Sequence, residues 1–113
     1  MPLIPNYRLA YCEANKVRDF ILTPEHDDNK GRAVVFFALG YNKAHWEALA
    51  NDLCSQLLPH VDAVEVPDIY GRRFIVEGPL EGPSGTAIVR TVWLVDIGQD
   101  APRLVTAYPE VTL

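Results

Sequence analysis

The chain has 113 residues, a net charge of −5, and is 49% apolar and 22% charged. That balance belongs to a folded globular chain; it excludes a disordered tail and a protein that coats nucleic acid through a uniformly basic surface. No apolar run approaches the ~20 residues needed to cross a bilayer. The opening, MPLIPNYRLAYCEANK, has no charged segment leading into an apolar one, so no secretory leader is expected and the cytoplasm is the expected location.

With no repeat, low-complexity run or linker, residues 1–113 read as one domain, long enough to bury a core of ordinary size. Charge is uneven along it. Residues 1–43 set Arg8, Lys16, Arg18, Lys30, Arg32 and Lys43 against five acids. Residues 44–69 hold Glu47, Asp52, Asp62, Glu65 and Asp68 with no Lys or Arg. A local basic groove is compatible with this pattern. Cys12 and Cys54 stand far apart in no metal-like spacing; they can pair, but nothing demands it, and a reducing compartment is expected.

The head MPLIPN is expected to run extended over the surface or against an edge. Asn15 to Leu22 predicts a first helix, with Val17, Phe20 and Ile21 on one face, Asn15 as cap and Pro24 as the stop. PEHDDNKG reads as a polar loop. The β-branched and aromatic content of RAVVFFALG suits a strand, but Ala33, Phe36, Phe37 and Gly40 follow helical spacing and Gly40 resembles a helix end, which favours helix. NKAHWEALANDLCSQLLPH is the clearest helix. Asn42 caps it, Trp46, Leu49, Leu53 and Leu57 form its stripe, and Pro59 ends it.

Beyond Pro59 the period changes to two. VDAVEV, YGRRFIVEGPL, TAIVRTVWLVDI and RLVTAY predict four strands, with GPSG as a turn and GQDAP as a connection. Helices followed by hairpin-linked strands indicate an α+β fold, two or three N-terminal helices packed on one face of a four-stranded antiparallel sheet. If GQDAP is a five-residue loop, Ile97 faces Arg103, Val95 faces Val105 and Trp93 faces Ala107, all on the side of Thr91 that the helices cover. Arg90, Val92 and Leu94 then share the other side with Leu104, Thr106 and Tyr108, and Arg90, Thr106 and Tyr108 project together. A slip of one residue would separate them.

Two readings of that cluster stand. The planar donor fork of Arg90 and the hydroxyls of Thr106 and Tyr108 suit a phosphate and its developing charge. Equally, Arg90 can pair across the hairpin with Glu77, leaving Thr106 and Tyr108 as ordinary strand residues. His26 lies in a loop followed closely by Lys30 and Arg32, and its imidazole titrates where acid–base chemistry at a ribose or phosphate works; it can also be merely solvated. His45 and His60 read as surface or capping residues. No two histidines have ligand spacing, so neither metal nor cofactor is expected. Adjacent Asp27 and Asp28 read as solvated, and Arg72 and Arg73 must point to opposite sides of a strand. There is no phosphate loop, dinucleotide fingerprint or nucleophile elbow. Trp46 and Trp93 are expected between helix and sheet.

VRDFILTPEH, Arg32-Ala33 and Phe36 in RAVVFFALGY, YGRRFIVEGPLEGPSG, and above all RTVWLVDIGQDAPRLVTAYP resemble an uncharacterised bacterial family of about this length, classed as a domain of unknown function. That family commonly has Lys where this chain has Arg32, which keeps the charge and changes any proton-transfer role. More remotely, helices followed by a four-stranded antiparallel sheet ending in Thr-x-Tyr-Pro are similar to the barnase–EndoU–colicin–RelE group of metal-independent RNases, which serve as toxins of bacterial conflict systems. This resemblance implies RNA as substrate, cleaved by 2′-hydroxyl attack to a cyclic phosphate. It also implies His26 as acid/base, Arg32 and Arg90 on the phosphate, Thr106 and Tyr108 orienting it, and a small cognate protein partner. The acidic pI runs against that analogy. The acid-rich 44–69 segment supports a different class, a non-catalytic antitoxin, immunity or adaptor protein whose acidic helix face neutralises a basic partner.

Overall fold

The computed structural model describes residues 2–25 and 31–110. A 3-10 turn at Tyr7–Leu9 precedes α1 (Ala14–Lys16), which widens into a π-helical turn over Val17–Ile21. α2 spans Arg32–Ala38. A 3-10 turn at Lys43–His45 leads into α3 (Trp46–Asp52), which widens into a second π turn over Leu53–Leu57. β1 (Val64–Val66), β2 (Gly71–Gly82), β3 (Gly85–Asp96) and β4 (Arg103–Pro109) form one antiparallel sheet in the order β1-β2-β3-β4. This is the α+β layout that the change of period predicts.

The helix ends have identifiable causes. Asn42 Oδ1 accepts from His45 N–H at 2.9 Å, the cap expected at that position. α2 closes with a pair of bonds, Gly40 N–H to Phe37 O and Tyr41 N–H to Phe36 O, around Gly40 at φ 100°. That is a Schellman ending, which glycine adopts without Cβ strain, so RAVVFFALG is a helix as its spacing favours. The cap of α1 differs from expectation. The helix begins at Ala14, which puts Asn15 inside it, and Glu13 in the cap position makes no side-chain bond. The first π turn, closed by Leu22 N–H on Val17 O, brings Val17, Ile21 and Leu22 all to full burial.

Phe74, Val76 and Leu80 of β2, Val89 and Trp93 of β3, and Leu104 and Ala107 of β4 meet Leu49, Leu53 and Leu57 in the core. Helix and sheet approach closely where β2 has no side chain: a Cβ on Gly78 would stand 2.9 Å from Val61, and one on Gly82 only 2.3 Å from the Leu39 carbonyl oxygen. Ile4 anchors the N-terminal arm in the same core, and Pro2 O accepts from Ala63 N–H.

The β3–β4 register departs from expectation. Arg90 pairs with Tyr108, Thr91 with Ala107 and Val92 with Thr106, but Trp93 pairs with Leu104 and Leu94 with Arg103. One residue, Val105, is extra: a β-bulge sits between the Val92 and Trp93 pairings. It turns Leu104 into the core and Arg103 to the outer face, opposite to the register a regular ladder would give. Ile97 lies beyond β3, exposed, and Val95 has no partner in β4.

Candidate functional site

The bulge leaves the C-terminal half of β4 in the expected phase. Arg90 and Tyr108 are paired, and Thr106 stands beside them opposite Val92, so all three share the sheet face away from the helices. Arg32, at the start of α2, reaches β4 and joins them. Its Nη1 donates to Thr106 Oγ1 at 2.7 Å and to the Ala107 carbonyl at 3.3 Å. Its Cζ stands 4.8 Å from the Phe20 ring centre and 5.6 Å from that of Tyr108, so the guanidinium has an aromatic ring from the first π turn and one from the last strand.

Arg90 approaches Tyr108 from the other side, but it is also tied to carboxylates. Its Nε donates to Glu77 Oε2 at 3.0 Å and lies 3.4 Å from Glu110 Oε1. The cross-hairpin pair with Glu77 is therefore real, as one of the two readings of Arg90 requires. The Arg90 pKa is raised above its usual value by Glu77 foremost and by the Tyr108 hydroxyl after it. Glu77 and Glu110 share a hydrogen bond that splits them: it holds Glu77 below the usual carboxylate range, with Arg90 assisting, and pushes Glu110 above it.

Of the five expected site residues, Arg32, Arg90, Thr106 and Tyr108 meet around Tyr108, and His26 lies outside the described residues. Sequence reasoning assigned no site role to Phe20 and did not consider Glu110. Phe20 sits on the apolar face of a helix and gives no sign of stacking on a cation. Glu110 directly follows AYP, and the Arg90–Tyr108 pairing is the signal that would have found it. Among the described residues no group of three or more His, Cys, Asp and Glu side chains is placed to hold a metal ion.

The remaining arginines of the sheet are engaged elsewhere. Arg73 pairs with Asp68 at 2.6 Å and Arg103 with Asp96 at 2.7 Å on the outer face, while Arg72 turns the other way to Glu65 at 2.9 Å. Part of the acid-rich 44–69 segment is engaged within the chain. Besides Glu65 and Asp68, Asp52 accepts the Tyr41 hydroxyl at 2.6 Å. Burial first, and then this bond, push the Tyr41 phenol up from its ordinary value.

A cavity of about 640 Å³ lies away from this cluster, between the N-terminal arm and α3, lined by Tyr7, Tyr11, Cys12, Trp46, Ala50 and Cys54 among others. Trp93 is fully buried, as expected, whereas Trp46 is only half-buried at this cavity.

Among solved structures, the chain is similar to a chain of a contact-dependent growth inhibition toxin–immunity protein complex from Klebsiella pneumoniae 342. The two are 18% identical, the match covers 94% of this chain and 97% of that one, and the TM-score is 0.71. At that identity the likeness is one of fold. No curated protein matches the chain. No helix among the described residues is long and apolar enough to cross a membrane. The family model for a domain of unknown function, DUF6883, matches residues 3–111, and the chain belongs to that family.

Proposed function

We propose that this chain is a toxin-type domain of a bacterial conflict system, an RNase-like fold that cleaves RNA without metal by attack of the 2′-hydroxyl on the adjoining phosphate. The observation that carries this reading is the convergence on Tyr108 of two arginines from different layers: Arg32 from α2, bonded to Thr106, and Arg90 from β3. Two planar cations, a phenol and a hydroxyl on one face suit a phosphodiester whose charge grows in the transition state. Arg90 is bonded through Nε to Glu77 and lies close to Glu110, so a substrate phosphate competes with these carboxylates for its guanidinium. Acid–base work falls to the His26 imidazole assigned by resemblance. The fold shared with a member of a toxin–immunity complex supports the same class and a cognate protein partner.

The test is RNA cleavage by purified protein in EDTA. The expected products carry 2′,3′-cyclic phosphate ends, and Arg32→Ala should lower the rate by about 10²-fold or more while leaving the circular dichroism spectrum native. No cleavage in EDTA, together with unimpaired growth on expression, overturns the proposal.

The second reading, a binding protein with an acidic helix face, draws on the same structural likeness. It is weakened by the internal commitments of Asp52, Glu65 and Asp68. It predicts a basic partner whose binding is lost on charge reversal at Glu47 and Asp52.

A further inference from the structure

The two cysteines are 42 positions apart in sequence, yet their sulfurs stand 3.9 Å apart. The arrangement is reciprocal. Cys12 Sγ on the N-terminal arm is 3.8 Å from the Ala50 carbonyl of α3, and Cys54 Sγ on the second π turn is 3.9 Å from the Ala10 carbonyl of the arm. Both are free thiols, both are half-buried, and both line the 640 Å³ cavity, which gives a small reagent a route to them. A disulfide needs a sulfur separation of about 2.05 Å, so each sulfur has to move by only about 1 Å.

We propose that Cys12 and Cys54 are an intrachain disulfide site, oxidised by a low-molecular-weight disulfide that enters through the cavity. The Cys54 thiolate attacks one sulfur of the small disulfide, forming a mixed disulfide and releasing one small thiolate, which takes up a proton. Cys12 then loses its proton to solvent as its sulfur attacks Cys54 Sγ, and the second small thiolate leaves and is protonated. Two electrons pass from the cysteine pair to the reagent, which departs as two thiols.

The order of attack follows from the shared hydrogen bond. It lowers the pKa of Cys54, whereas the same bond foremost, and burial after it, push the Cys12 thiol up. The covalent loop so closed runs from residue 12 to residue 54 and contains Phe20, His26 and Arg32. Just before Cys12, Tyr11 is hydrogen-bonded to both Pro102 and Leu104 at the start of β4. Oxidation therefore fastens α3 to the arm that borders β4, and confines the segment that supplies Arg32.

The experiment is incubation of the full chain with oxidised glutathione, followed by a thiol count, intact mass and peptide mapping. The expected result is loss of both thiols, a mass lower by two hydrogens, and one reducible cross-link joining the peptides of Cys12 and Cys54. The oxidised chain should have an unfolding equilibrium constant lower by about 10²-fold or more. Cys12→Ser should stop at a stable glutathione adduct on Cys54. Two titratable thiols after incubation, or a lasting glutathione adduct on the unmodified sequence, would overturn the proposal, and neither readout depends on a variant that must fold. An oxidised chain no more stable than the reduced one would equally sink it. None of these results depends on whether the chain cleaves RNA.

Discussion

Thr91 is the only fully buried polar side chain among the described residues, and it connects two strands and a ring. Its hydroxyl donates to the Val76 carbonyl at 2.7 Å and accepts from Trp93 Nε1 at 2.7 Å. A single hydroxyl thus satisfies the indole of the largest core residue, and no buried side-chain nitrogen or oxygen among the described residues lacks a partner. Thr91→Val keeps the shape and removes both bonds, leaving an indole N–H buried without an acceptor. The expected cost is about 1–3 kcal/mol in urea unfolding, with little change in circular dichroism. A loss below measurement error would mean that another group satisfies the indole. The RTVW stretch makes Thr91 an inward residue by alternation alone, but alternation does not reveal that its hydroxyl is matched to Trp93 two positions on.

At the level of elements, Arg32 ties β4 to α2. Arg32 bonds both Thr106 and the backbone at Ala107, and its flat guanidinium lies near two rings. Lysine carries the charge without the fork or the flat face, so Arg32→Lys should cost about 1–2 kcal/mol of stability. Combined with Thr106→Val it should show a coupling of about 0.5–1.5 kcal/mol in a double-mutant cycle; simple additivity would mean that the bond is absent in solution. Periodicity found the elements themselves because Leu49, Leu53 and Leu57 on the helix, and Phe74, Val76 and Leu80 on the strand, each repeat with one period. It failed at Val105, since a bulge inserts a residue without altering composition and the apolar run LVTA reads equally well in either phase. Arg90, Thr106 and Tyr108 were nevertheless expected on one face because Thr106 and Tyr108 lie on the C-terminal side of the bulge. There the ladder is regular again, two positions from the expected register, with Ala107 opposite Thr91 instead of Trp93, and an even shift keeps each side chain on the same face.

Across the whole molecule, stability should fall in acid. Arg103 holds Asp96 below its ordinary value, Arg72 does the same for Glu65, and Asp68 is lowered by the Tyr70 backbone N–H and then by Arg73. A carboxyl depressed in the folded state contributes fully above its unfolded value, about 3.9–4.3, and loses that contribution as the pH falls through the folded value. The urea midpoint should therefore be flat from neutrality to about pH 5 and then drop. Asp96→Asn should lower the neutral plateau and flatten the acid limb; an unchanged limb would exclude this pair as a source. Glu110 runs the opposite way. Its raised pKa supports the fold fully below its unfolded value, and that support is lost as the pH rises through the folded one.

The chain itself covers part of each border of the sheet. On one side the Gln56 amide bonds Glu81 N–H at 2.7 Å and Glu81 O at 2.9 Å, continuing the line of β1, which is only three residues long. On the other, Tyr11 takes the start of β4 and Arg32 takes the carbonyl of Ala107. These contacts shorten the run of backbone that a strand from another molecule could pair with, which works against edge-to-edge polymerisation. A protein or nucleic acid that engages the sheet at these points must read its side chains, because the backbone there is already bonded.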